Sequence, residues 1–214
     1  MSRSTAIKDL PRPADGSDRA DNVRRIIYQR ATDLFLEKGF TKTSMNEIAA
    51  ACGVSKPAIY HYFRNKSDLL STLYADITRD FFTAVEAIAF DKGSAEERLR
   101  RLVRHQTIYN IEHHRFLTIF WRERHLIEPE DRKRLAELER GFESWVQRVL
   151  TEGQATGEFR RSDVVSAAYG ILGMLSSVHR WARYADSSAE AIADNLADMI
   201  VGGLLAGQAA EGTT

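Results

Sequence analysis

Residues 43–66 read TSMNEIAAACGVSKPAIYHYFRNK, and the spacing within this run decides the fold. Ser44 and Glu47 stand three apart, as in a capping box, where a hydroxyl and a carboxylate each satisfy a free amide at a helix start. A short helix to about Ala51 is predicted. Ala49 is small where two helices must cross closely, and Gly53 sits four residues on, where a left-handed turn conformation is cheapest without a Cβ. Val54 plugs the corner, Ser55 caps the next helix, and Pro57 falls in its first turn, where amides lack intrahelical partners. With Ile48, Ile59 and Phe63 turned to a small core, Lys56, Pro57, Ala58, Tyr60 and His61 are left on the outer surface. The pattern is a helix-turn-helix, whose outer face is shaped to enter a DNA major groove.

The chemistry of that face suits phosphate and groove contact. It offers hydroxyls on Thr43, Ser44, Ser55 and Tyr60, ammonium groups on Lys56 and Lys66, and an imidazole on His61. Helix starts at Ser44, Ser55 and Ser67 add amide donors for phosphate oxygens. The string also reads as packing aromatics (Tyr60, His61, Tyr62) beside solvated lysines, and pattern alone leaves the two readings level.

Outward from this run the chain is helical. Val23, Ile26, Ile27, Ala31, Leu34 and Phe35 form one stripe that stops at Gly39. Ser67 opens a long helix to about Ala89. Ser94 and Glu97 make a second capping box, after which Leu99, Leu102 and Val103 carry a stripe towards Glu112. Pro129 starts a helix bearing Leu135, Leu138, Phe142, Trp145 and Val149 that ends near Gly157. Residues 163–183 are apolar on nearly every face (Val164, Val165, Ala168, Ile171, Leu172, Leu175, Val178), so that segment should be buried on two sides. Residues 189–206 show Ile192, Leu196, Met199, Ile200 and Leu204. No period-two alternation marks a strand. The fold class is all-α: flexible tails at 1–20 and 208–214, a three-helix helix-turn-helix domain at 21–66, and a larger helical domain at 67–207, which the family resemblance given below implies to be a ligand-binding and dimerisation domain.

Composition agrees with a folded chain, at 43% apolar and 28% charged residues. The net charge is zero, yet residues 1–66 hold 12 Lys and Arg against 7 Asp and Glu, while the remainder holds 18 against 23. An excess of +5 in the first part and −5 in the second suits an N-terminal module that meets a polyanion. Cys52 is the only cysteine, which excludes a disulfide within one chain. The N-terminal MSRSTAIKDLPRPADGSDRADN has no apolar core of a signal peptide, and no run of about 18 apolar residues occurs, so a cytoplasmic, non-membrane protein is expected.

The run FLEKGFTKTSMNEIAAACGVSKPAIYHYFRNKSDLL, with the helix before it, resembles the DNA-binding domain of the TetR family of repressors over residues 22–70. The resemblance implies contact with operator backbone or bases at Thr43, Ser55, Lys56, Pro57, Tyr60, His61 and Lys66, and a long fourth helix linking reader to ligand domain. Pro57 stands where many members carry Gly and removes an amide. The resemblance also implies a homodimer in which the last two long helices, within residues 163–206, pair with their copies. The residues agree: Ala167, Ala168, Gly170, Gly173, Ser176 and Ser177 permit close approach on a helix that is apolar all round. A central core helix of a monomer is the other reading.

Candidates to contact a small-molecule effector are His105, Tyr109, His113, Phe116, Phe120, Trp121, Arg122, Trp145, Arg180 and Trp181, since aromatic walls with a few polar groups make such sites. Trp145, Gly153, Gly157, Phe159, Arg160 and the VHRW run at 178–181 are similar to TetR-family repressors of lipid, sterol or aromatic-acid catabolism, which respond to acyl-CoA thioesters. No metal or cofactor is expected: His113 and His114 adjoin Glu112, but neighbours on a helix point about 100° apart and do not chelate one ion. As rivals, an enzyme finds no G-x-G-x-x-G, P-loop, H-E-x-x-H or G-x-S-x-G, and an adaptor without DNA binding finds Lys56, Tyr60 and Lys66 retained. The expected mechanism is a population shift, in which ligand favours a spacing of the two recognition helices that no longer fits a palindromic operator.

Overall fold

The structure, a computed structural model, describes residues 18–206. The tail expected at 208–214 lies outside them, as does that at 1–20 except for Asp18, Arg19 and Ala20, which already belong to the first helix. Among the described residues there are ten α-helices, two short 3-10 turns and one isolated antiparallel bridge, Phe159 to Leu205, without a strand. The all-α expectation holds. Two compact units emerge, one comprising the described residues up to Thr78 with Arg115–Leu135, the other Arg79–His114 with those from Ala136 onward. This division differs from the expected boundary after Lys66, because α4 (Lys66–Ala89) and α7 (Pro129–Thr156) each run unbroken from one unit into the other.

The first unit holds α1 (Asp18–Lys38), α2 (Met45–Cys52), α3 (Lys56–Tyr62), the start of α4, α6 (His114–Glu123) from Arg115 on, and the first turns of α7. Its core is Ile27, Ala31 and Phe35 from α1, Ile48 and Ala49 from α2, Ile59 and Phe63 at α3, and Leu69, Leu70 and Leu73 from α4, all essentially inaccessible. At about 25 cal/mol per Å² of apolar surface, burial of these side chains is the main force holding the three short helices in place. Polar ties add direction: Tyr28 donates to Asp76 Oδ2 at 2.5 Å, and Arg115 Nη2 to Asp33 Oδ1 at 2.7 Å. The sequence pattern had shown no helix where α6 stands.

In the second unit α5 (Ala95–Glu112) begins at the expected Ser94–Glu97 capping box and packs along α10 (Ala189–Leu204), with ion pairs Arg100–Asp198 and Arg104–Asp194 flanking the contact. The helix expected over 163–183 is broken into α8 (Val164–Ser176) and α9 (Val178–Trp181). Ser176 and Ser177 turn their hydroxyls back on the carbonyls of Gly173 and Met174 at 2.9 and 2.8 Å, in competition with the regular ladder. Nor is α8 covered on two sides within this chain. Ala168, Ile171 and Leu175 are buried, whereas Val165, Tyr169 and Met174 are exposed, and Met199 and Leu205 are exposed at α10 and its end.

Candidate nucleic-acid interface and effector site

The helix-turn-helix follows its residues closely. Ser44 Oγ accepts from the Glu47 amide at 3.2 Å and Glu47 Oε2 accepts from the Ser44 amide at 2.8 Å, so the predicted capping box is complete. The Ser44 amide, with the Lys38 ammonium 3.0 Å from the carboxylate, pulls the Glu47 carboxyl down to about 2. Gly53 takes φ 67°, the Gly53 amide donates to Ala50 O at 3.1 Å and the Val54 amide to Ala49 O at 3.0 Å, a Schellman closure of α2. Cys52 lies beside this turn. Burial pushes its thiol up to about 11, which leaves no thiolate at neutral pH.

Ser55 Oγ accepts from the Ala58 amide at 3.3 Å and opens α3. Ile59 and Phe63 are buried beneath, while Ser55, Lys56, Pro57, Tyr60 and His61 form an exposed face, with Tyr60 44% accessible. Ala58 is half-buried at its edge and Ser44 is exposed on the start of α2. Tyr62 is the packing aromatic of the string, half-buried and in ring contact with Phe63 and His61. Because Pro57 has no N–H and Ser55 already occupies that of Ala58, few amides at this helix start remain for a phosphate.

Three expectations need correction. Thr43 is not on the outer face: it is 2% exposed, and its hydroxyl donates to Gly39 O at 2.9 Å. Lys66 is half-buried, its Nζ donating to Phe40 O at 2.6 Å and Thr41 O at 3.1 Å and lying 4.7 Å over the Phe40 ring, with desolvation lowering its pKa from the ordinary lysine value. It staples the α1–α2 turn to α4. Ser67 does not cap α4; Asn65 does, accepting from the Asp68 amide at 2.8 Å, while Ser67 is buried and accepts from the Glu128 amide at 2.9 Å. Thr43 and Lys66 face inward onto carbonyls of the α1–α2 turn and Ser67 onto the backbone that leads into α7, which spacing along one helix cannot reveal. The reading also passed over Lys42 and Asn46, both exposed beside Ser44.

The effector candidates fall into both units. In the first, Phe116 and Phe120 are core, Phe120 stacking on Tyr74 with centroids 3.7 Å apart. Trp121 and Arg122 are exposed, the guanidinium donating to Glu123 at 2.7 Å. In the second, His105 stacks on Phe81 at 5.4 Å, Tyr109 lies 4.6 Å from the same ring, and His113 stacks on Tyr109 at 4.2 Å. Desolvation is the largest cause lowering the pKa of both His105 and His113, so both imidazoles are neutral near pH 7, and the buried His105 Nε2 has no hydrogen-bond partner among the described residues. Trp145 is half-buried against Gly141, and Arg180 and Trp181 are exposed on α9. No three His, Cys, Asp or Glu side chains gather as metal ligands would among the described residues, and no described helix is long and apolar enough to cross a membrane.

A short capped helix, a Schellman turn and a second helix with an exposed polar face define a helix-turn-helix DNA-binding protein. The chain belongs to the TetR family: residues 27–73 match the bacterial regulatory proteins of the tetR family, and residues 92–204, more than half of the chain, match the tetracyclin repressor-like C-terminal domain. Among curated relatives, it is 27% identical over 199 residues to the HTH-type transcriptional repressor KstR2 of Rhodococcus jostii, covering 91% of this chain and 97% of that one. A TetR/AcrR-family regulator of Thermobifida fusca shares its structure with a TM-score of 0.69 at 31% identity, over 85% of this chain and 98% of that one. The Bacillus subtilis regulator FadR, solved in complex with stearoyl-CoA, gives 0.69 at 25% identity, over 84% and 98%. These relatives are transcriptional regulators, not enzymes.

Proposed function

We propose that this TetR-family repressor binds a palindromic operator as a homodimer and releases it when a small hydrophobic or acyl-CoA-type ligand enters the second unit. The exposed face of α3 carries the reading: Ser55, Lys56, Pro57, Tyr60 and His61, with Ser44 and Ala58 at its border, stand on a fully buried base of Ile59 and Phe63. Hydroxyl, ammonium and imidazole groups displayed together on a helix fixed in this way are placed to contact phosphates and base edges in a groove, which supports the reading.

Two observations support the dimer. The exposed Val165, Tyr169, Met174 and Met199 make an apolar surface on α8 and α10 unusual for a monomer. A Cβ placed on Gly170, Gly173, Gly202 or Gly203 would meet nothing within 4 Å, so a second backbone has room to approach; these helices also border a cleft of about 470 Å³ lined by Met174, Ile200 and Leu204. For the effector, the support is the aromatic cluster of Phe81, His105, Tyr109 and His113, with His105 Nε2 unpartnered among the described residues, together with the stearoyl-CoA bound by the B. subtilis relative. Neutral imidazoles suit a carbonyl or hydroxyl rather than an anion, so a CoA ester would need guanidinium groups such as those of the exposed Arg180 and Arg183 for its phosphates.

Selection of duplexes from a random pool, followed by binding at two salt concentrations and titration with stearoyl-CoA, tests this. Enrichment of a palindrome with steep salt dependence and release by the thioester is the expected result. No enriched sequence would overturn the operator, and an operator complex indifferent to acyl-CoA esters would overturn the effector class alone.

A further inference from the structure

The first turn of α7 is fastened to the junction between α3 and α4. Ser67 Oγ accepts from the Glu128 amide at 2.9 Å, Ser71 Oγ donates to Asp131 Oδ2 at 3.2 Å, and Arg64 Nη2 stands 3.8 Å from that oxygen. The other carboxylate oxygen takes Arg134 Nη2 at 3.2 Å. Asp131 is 7% exposed, and a buried carboxylate persists only with such partners. Arg64, by contrast, is mostly exposed and reaches back to it. It directly follows Phe63, the residue that ends α3, and Asp68 grips it twice, accepting from its amide at 2.8 Å and its guanidinium at 2.9 Å. The residue that follows the end of the recognition helix is thus hydrogen-bonded from α4 by Asp68 and stands within ion-pair range of Asp131 on α7.

We propose that Asp131 is a positioning residue for operator binding, setting the inclination of α3 through Arg64. The proposal rests on α3 being the operator-reading helix. Among the described residues the polar partners of Asp131 are Arg64, Ser71 and Arg134, none of them on the exposed face of α3, so its effect is on how that face is presented, not on how many phosphates are contacted. Since α7 continues unbroken into the second unit, a displacement of its first turn reaches α3 through two side chains.

The test uses the full chain, the operator duplex from the selection above and a random duplex of equal length. Asp131→Asn, nearly isosteric, is expected to weaken operator binding about tenfold while leaving the random duplex within about twofold and the salt slope unchanged. Arg64→Met should do the same, and the double variant should be no weaker than the poorer single one. A general loss of stability would lower both affinities and the thermal midpoint together. Operator affinity within twofold of the parent chain, additive losses, or a shallower salt slope in Arg64→Met would overturn the proposal, the last by making Arg64 a phosphate contact itself. Arg64 is exposed enough to carry the test should Asp131→Asn not fold. Hydrogen exchange in the free chain separates this claim from the DNA reading: about tenfold faster exchange at Tyr62 and Phe63 in either variant supports it, and unchanged exchange refutes it even where no duplex is selected.

Discussion

Lys66 separates two accounts of the same residue. Family resemblance makes it an operator contact; the structure makes it an internal staple between α4 and the carbonyls of Phe40 and Thr41. Lys66→Met keeps the aliphatic stem over Phe40 and removes only the ammonium. Each charge-assisted hydrogen bond is worth about 1.5–3 kcal/mol at best. Half-burial and the desolvation that lowers the Lys66 pKa reduce the pair to a net loss of about 2 kcal/mol. For a chain of this length that is a fall of about 4–8 °C in thermal midpoint. Circular dichroism melts measure it, and operator binding over a range of salt supplies the second reading. The staple predicts the lower midpoint with an unaltered salt slope. A midpoint within 1 °C or so of the parent, with a slope shallower by about two for the two half-sites, would show that the ammonium leaves the carbonyls for phosphate and would refute the argument.

Other expectations follow from backbone and burial. Gly53→Ala meets no neighbouring atom, so its cost is the left-handed backbone alone, about 1–2 kcal/mol, seen as a lower midpoint with no change in the unfolding baseline. Gly153→Ala differs: its Cβ would fall 2.2 Å from Phe159 and 2.9 Å from Ala95, and overpacking should cost about 1–3 kcal/mol in thermal or urea unfolding, with full recovery in Gly153→Ala/Phe159→Leu counting against steric strain from any other source. Glu47 has a folded pKa of about 2 against an ordinary 4.5, so the stability it lends is complete above about pH 4.5 and is lost as pH falls towards 2. Glu47→Gln should flatten the acid limb of a midpoint-versus-pH curve in that window, and an unchanged limb would contradict the capping geometry. His105 and His113 have lowered pKa values, so the folded chain resists their protonation and stability should decline as pH drops below about 6.5; His105→Phe should reduce that decline.

Much of this protein is readable in one dimension. The capping boxes at Ser44 and Ser94, the turn at Gly53 and the exposed set Ser55, Lys56, Pro57, Tyr60 and His61 all stand where the residue pattern put them, because each depends on neighbours within about one helical turn. Hydroxyl caps, a glycine with positive φ and apolar residues at helical spacing act locally, so order along the chain suffices to determine helix class, the reader and its outward face. The outcome was different wherever two distant segments meet. Lys66 turns inward because the Phe40 and Thr41 carbonyls, 26 and 25 residues before it, lie within its reach, and Asp131 sits 60 residues from the Ser71 hydroxyl it accepts from. The grouping of His105 with Phe81 likewise depends on which ring stands opposite. A buried polar group must find a partner wherever the fold supplies one, and that choice is made only when the helices pack.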